Sequence, residues 1–156
     1  MANLEKLKTK NNPSSVIDTL NLSLANMLDM KLAAKQAHWN VKGENFIALH
    51  QLFDALAGEI DGYSDLLAER ALQLGGIAQG TLQLVAKNSS LSAYPTKIVK
   101  SSDHIKALSE NLSILAEHCR QAIETSASAG DAVTSDLFTE ITRGLDKSRW
   151  FIESHK

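Results

Sequence analysis

A single cysteine, Cys119, stands in the 156 residues. That excludes an internal disulfide framework and any zinc site built on two or more thiolates. Only 2 prolines and 8 glycines interrupt the chain, and aromatic residues make up 5% of it. So few breakers, in a background rich in Ala and Leu, argue for long helices and against a β-sandwich or barrel. Neither sign of charge dominates: 16 Lys and Arg stand against 18 Asp and Glu, a net of −2. This balance excludes a protein that coats nucleic acid through its whole surface and leaves only a local basic arm for that role. No apolar run approaches ~18 residues, so no membrane span is expected. The opening MANLEKLKTKNN contains no apolar h-region, and the expected compartment is the cytoplasm. What is present is 44% hydrophobic and 22% charged, the composition of one folded domain around one core.

Residues 1–12 are polar and carry Lys6, Lys8 and Lys10 against Glu5. They read as a flexible N-terminal arm ahead of a domain over 13–156. Pro13 followed by Ser14 and Ser15 marks a helix start. Val16, Ile17, Leu20, Leu24, Met27 and Leu28 then recur at helical spacing, and the helix is expected to reach about Asn40. Gly43 and Glu44 break it, and Asn45 is placed to cap the next helix. There Phe46, Leu49, Phe53, Leu56, Ile60, Tyr63 and Leu67 step by three and four as one apolar seam. Gly75 and Gly76 stop this second helix near Leu74. A short helix is expected around residues 81–86. Ser102 or Asp103 then caps a third long helix with Ile105, Leu108, Leu112, Leu115, Cys119 and Ala122 inward. Gly130 ends it, and Asp131 caps a fourth through Val133, Leu137, Ile141, Leu145 and Ile152. The long connection after the second helix returns the chain along the bundle, so the second and third helices run parallel. The expected fold is all-α: a ferritin-like four-helix bundle with a long crossover that carries a short helix.

The second long helix also carries a polar stripe. At ~100° per residue, with His50 at zero, Asp54 falls near 40°, Asp61 near 20°, Asp65 near 60° and Glu69 near 100°. The apolar seam occupies roughly −40° to −140° on the same wheel, so the stripe borders the core face. Asp54 and Asp65 lie ~16 Å apart along the helix, too far to share an ion whose ligands sit at ~2–2.5 Å. A second, antiparallel copy removes this difficulty. With a two-fold axis midway between Glu59 and Ile60, His50 faces Glu69 of the partner subunit. Asp54 likewise faces Asp65 of the partner subunit. Ala57, Gly58 and Gly62 near the crossing are small enough for close backbone approach. Two equivalent sites per dimer follow, and imidazole plus carboxylate without thiolate suits iron, manganese or zinc. His38, near the end of the first helix, joins them if the first two helices lie side by side. The bland alternative is an ordinary solvated helix face. A di-iron centre inside the bundle has no support, because it needs Glu-x-x-His motifs and the chain contains none.

The same residues resemble the Dps mini-ferritin family. Lys35-Gln36-Ala37-His38-Trp39-Asn40-Val41-Lys42-Gly43 is similar to its AHWN-x-x-G segment. Asn45-Phe46, His50-x-x-x-Asp54, Asp65-x-x-x-Glu69-Arg70-Ala71 and Leu74-Gly75-Gly76 follow in order. Tyr94-Pro95 and the stretch from Leu145 to Glu153 extend the likeness over about residues 14–154. The resemblance implies a homododecameric shell with ferroxidase sites at two-fold interfaces. It implies that Asp65 and Glu69 bind the principal iron, with His38 of the neighbour completing that site. It assigns His50 and Asp54 of the neighbour to a second, weaker iron. The implied reaction oxidises Fe(II), preferentially with hydrogen peroxide, and stores ferric mineral, with zinc or manganese as possible surrogates. Trp39 is expected either to pack on this site or to serve as a core tryptophan. Asp61 receives no role from the family pattern.

In some members of that family a lysine-bearing arm binds DNA, and Lys6, Lys8 and Lys10 are the counterparts here, made effective by many copies on one shell. Acidic iron-entry pores near the start of the last helix are also implied, with Asp131, Asp136 and Glu140 as candidates. Two other readings remain open on the sequence. One is a nucleoid-binding architectural protein in which metal is secondary. The other is a helical shell that binds neither iron nor DNA.

Overall fold

The computed structural model describes residues 13–156. Five helices follow one another: α1 (Pro13–Asn40), α2 (Phe46–Gln73), α3 (Leu82–Asn88), α4 (Ser101–Ser128) and α5 (Ala132–Glu153). No strand occurs among the described residues, only an isolated parallel bridge between Lys42 and Lys100. The wiring follows from loop length. Five residues join α1 to α2 and three join α4 to α5, so each pair forms an antiparallel hairpin, and these hairpins make the main helix contacts. The Lys42–Lys100 bridge puts the starts of α2 and α4 at one end, so these helices run parallel. The chain is therefore all-α with ferritin-like wiring, as expected.

The crossover is held along its course. Ser90 N–H donates to Asn26 Oδ1 at 2.9 Å, and Ser90 Oγ lies 2.9 Å from His118 Nε2. Asn111 clamps the backbone of Ser92 through both amide atoms at 3.0 Å. Tyr94 Oη meets His104 Nδ1 at 2.8 Å. These contacts step down α4 from its middle to its start, which brings the chain back to the end where α2 began. The expected short helix exists, shifted to Leu82–Asn88 with Thr81 at its N-cap position.

The seam residues Leu49, Phe53, Leu56, Ile60 and Leu67 are buried with Leu108, Leu112, Leu115, Cys119, Ile141 and Leu145 in one core. The core location expected for Cys119 is met, and burial pushes its thiol up to about 12. Two seam assignments need correction. Phe46 is 42% exposed and Val133 63% exposed, each in the first turn of its helix. Two cap assignments also change. Asn45 occupies the N-cap position of α2 but makes no side-chain cap bond. Helix α4 begins at Ser101 with Lys100 at its N-cap, ahead of Ser102 and Asp103, since the chain becomes helical directly after the bridge to Lys42. Asp131 does cap α5, accepting from Thr134 N at 3.0 Å. Gly75, at φ +83°, terminates α2 in the left-handed region.

Candidate metal centre

The α1–α2 hairpin sets the last turn of α1 beside the first turn of α2, and two imidazoles meet there. His38 and His50 stack with centroids 3.7 Å apart and planes inclined by 22°. His38 Nδ1 donates to the carbonyl of His50 at 2.7 Å, and His50 Nδ1 donates to the carbonyl of His38 at 2.8 Å. A carbonyl only accepts, so each Nδ1 carries a proton, and each Nε2 is left without a partner among the described residues. This is the arrangement in which imidazole serves as an oriented metal donor.

One turn along α2, Asp54 is exposed and its Oδ1 accepts from Lys35 Nζ at 2.7 Å. That hydrogen bond is the main reason its carboxyl titrates below the usual carboxylate range. Lys35 Nζ also stands 5.6 Å from the centre of the Trp39 ring. Trp39 is 64% exposed, so within the subunit it is not a core residue. Asp61 is engaged by Lys31 Nζ at 2.6 Å. Asp65 and Glu69 are exposed further along the same face, and neither has a hydrogen-bond or ion-pair partner among the described residues. Asp61, Gly62 and Asp65 border an open depression of about 530 Å³ that reaches Ala78 and Gly80 of the crossover.

The subunit thus gathers His38, His50 and Asp54 at one end of the α1–α2 face and leaves Asp65 and Glu69 apart. Among the described residues no three His, Cys, Asp or Glu side chains converge to hold a metal ion. The rise of an α-helix forbids it within one copy of α2. Gly58 and Gly62 are open to solvent, with nothing within 4 Å of the position a Cβ would take. The lysines of this face were not singled out by spacing arguments. Lys31, Lys35 and Trp39 recur every four residues on α1, and that stripe was the available signal.

Of the acidic residues near the start of α5, Asp131 is already committed. Its carboxylate caps the helix and accepts from Arg70 Nη2 at 2.9 Å, in a pair whose side chains are only 16% and 11% exposed. Burial opposes its ionisation, but hydrogen bonds from Thr134 and the Arg70 charge outweigh burial and hold the carboxyl below its ordinary value. Within the subunit Asp131 is thus a helix cap and an ion-pair partner, the alternative to a pore role. Asp136 and Glu140 are exposed. The arm with Lys6, Lys8 and Lys10 lies outside the described residues.

Comparison with known proteins agrees with this architecture. The family model described as a ferritin-like domain matches residues 17–155. The DNA protection during starvation protein of Agrobacterium fabrum is 49% identical over 153 residues, covering 95% of this chain and 94% of its own. The Dps structure from Microbacterium arborescens in a high iron form aligns with TM-score 0.87 at 31% identity, over 95% of this chain and 96% of that one. The Dps of Vibrio cholerae, described as a member of a broad superfamily of ferritin-like diiron-carboxylate proteins, aligns with TM-score 0.86 at 25% identity, over 91% and 89% of the two chains. The chain belongs to the ferritin-like domain family and, within it, to the DNA-protection-during-starvation (Dps) proteins.

Proposed function

We propose that this chain is an iron-oxidising, iron-storing mini-ferritin whose sites form between subunits. Two α2 helices meet antiparallel, so that Asp65 and Glu69 of one subunit stand opposite His38, His50 and Asp54 of the partner subunit. The observation that carries this reading is the reciprocal His38–His50 pair. Two rings are locked by backbone carbonyls with neither Nε2 engaged within the subunit, on the same face as two carboxylates that have no partner among the described residues. The open glycines supply the room for a second helix.

The donor set is two imidazoles and three carboxylates without sulfur, which suits Fe(II) as substrate. Anionic oxygen favours the harder Fe(III), so carboxylate ligation promotes loss of an electron. Two Fe(II) ions give one electron each to one hydrogen peroxide, whose O–O bond breaks and which leaves as two waters after taking up two protons. The Fe(III) product is stored as mineral inside a dodecameric cytoplasmic shell. Consuming iron and peroxide together suppresses hydroxyl-radical formation and so protects DNA.

Stopped-flow mixing of the assembled protein with Fe(II) and hydrogen peroxide tests this. The double substitution Asp65→Ala and Glu69→Ala should remove the fast oxidation phase and leave the assembly's sedimentation unchanged. Oxidation at the wild-type rate in that variant refutes the site. The second reading is direct DNA binding by the arm, and Lys6, Lys8 and Lys10 are the residues that favour it. Salt-dependent gel retardation of the full chain, compared with a chain lacking residues 1–12, tests it. Equal retardation of both removes the arm from the account.

A further inference from the structure

The carboxylates on the outer face of α2 are not in equivalent states. Asp65 and Glu69 are unpaired, whereas Asp54 holds an ammonium group on Oδ1 at 2.7 Å. Within the single subunit the Lys35 and Asp54 side chains are 28% and 54% exposed, and their only link is this one exposed ion pair, an interaction of small strength. The lysine also has a second place to rest. Its Nζ lies 5.6 Å from the Trp39 ring centre, within the range at which an aromatic face attracts a cation. Lys31 repeats the device one turn earlier on Asp61, which is not among the proposed donors, so only Lys35 occupies an oxygen that a cation would need.

From this geometry we propose that Lys35 is a tethered counter-ion that competes with the second cation for Asp54 and makes the two positions of each site fill in order. The inference rests on the proposed inter-subunit site and adds a regulating residue to it. A cation arriving at Asp65 and Glu69 displaces nothing. One arriving at Asp54 meets a positive charge already hydrogen-bonded to the oxygen it needs. It binds only as Lys35 swings off the carboxylate toward the face of Trp39. Lys35 is thus a positioning and specificity residue, and it takes no part in electron transfer. The competition also favours divalent over monovalent cations at Asp54, since a single positive charge gains nothing by replacing another.

Zinc alone is a suitable probe, because it binds the same donor types and undergoes no redox step. The assembled chain carries 2 tryptophans, so Trp150→Phe leaves Trp39 as the single indole reporter. In that background, calorimetric titration with zinc should show a tight step and a weaker one, with Trp39 emission changing in the second. Lys35→Gln should tighten the second step about fivefold, the scale set by an exposed ion pair, and remove most of the emission change. Lys35→Arg keeps the charge and should leave the second step weak. Raising the salt concentration should narrow the gap between wild type and Lys35→Gln. An unchanged second step in Lys35→Gln overturns the role of Lys35 while leaving the site intact. Absence of any saturable zinc binding that Asp65→Ala with Glu69→Ala removes overturns the site, and the Lys35 proposal with it.

Discussion

Gly62→Leu separates the subunit's needs from those of the assembly. Glycine inside an exposed helix is less favourable than a good helix former by ~0.8–1 kcal/mol. At Gly62 nothing lies within 4 Å of the Cβ position, so within one subunit the leucine meets no obstacle and intrinsic propensity decides. The isolated fold should gain roughly 0.8 kcal/mol, and for a domain of this size that raises Tm by about 2–4 °C. Close approach of two α2 helices reverses the sign, because the added side chain occupies the space where the second backbone must come. The expected outcome is a chain that keeps its helical circular dichroism but sediments as smaller species, with a lowered Tm and no fast iron oxidation. Gly58→Leu, one turn earlier and equally open, should do the same. Sedimentation velocity and scanning calorimetry on both variants are the assays. An intact assembly with Tm raised by the amount that propensity alone requires would show that α2 does not meet its twin there.

Gly144→Ala is the opposite case, a glycine the subunit itself needs. Its Cβ would fall 1.7 Å from Tyr63 Oη, expelling a phenol that donates to Glu59 Oε1 at 2.8 Å; urea denaturation should show a loss of about 1–3 kcal/mol. Asp131→Asn keeps the α5 cap, because asparagine caps as well as aspartate, but removes the charge from the Arg70 pair, and the expected loss is about 1–3 kcal/mol at pH 7. Asp131 has a folded pKa below its ordinary 3.8, so its contribution is complete above about pH 5. It disappears as pH falls through the folded value, and denaturation curves of wild type and variant should converge there. A difference that does not shrink as pH falls below 3.8 would contradict the assignment. Cys119 is fully enclosed, with its thiol raised to about 12. Thiol reagents at pH 8 should therefore label it only after unfolding, and prompt labelling of the native assembly would show that the core is open there.

Helix positions were legible because burial and periodicity coincide. Leu49, Phe53, Leu56, Ile60 and Leu67 repeat at the spacing of one helix face, and one face of each long helix is what a bundle buries. The crossover was legible from its length, and the cap at Asp131 from its place after Gly130. Helix starts were less so. Asn45 stands at the right place without using its side chain, and Lys100 starts α4 because a backbone bridge to Lys42 positions it. That bridge joins residues far apart in sequence, which local propensity does not register.

The sequence by itself determined the all-helical class, the stripe of His50, Asp54, Asp65 and Glu69, and the fact that one copy of α2 is too long between carboxylates to close on one ion. Those are consequences of residue type and a fixed rise per residue. Only the tertiary structure decided that His38 stacks on His50 with both rings locked by backbone carbonyls. It also decided that Lys35 and Lys31 occupy Asp54 and Asp61 while Asp65 and Glu69 stay unpaired. These facts depend on how α1 is rotated and staggered against α2. That choice is made by the packing of the whole bundle, so the four-residue stripe of Lys31, Lys35 and Trp39 on α1 does not by itself say which residues of α2 it meets.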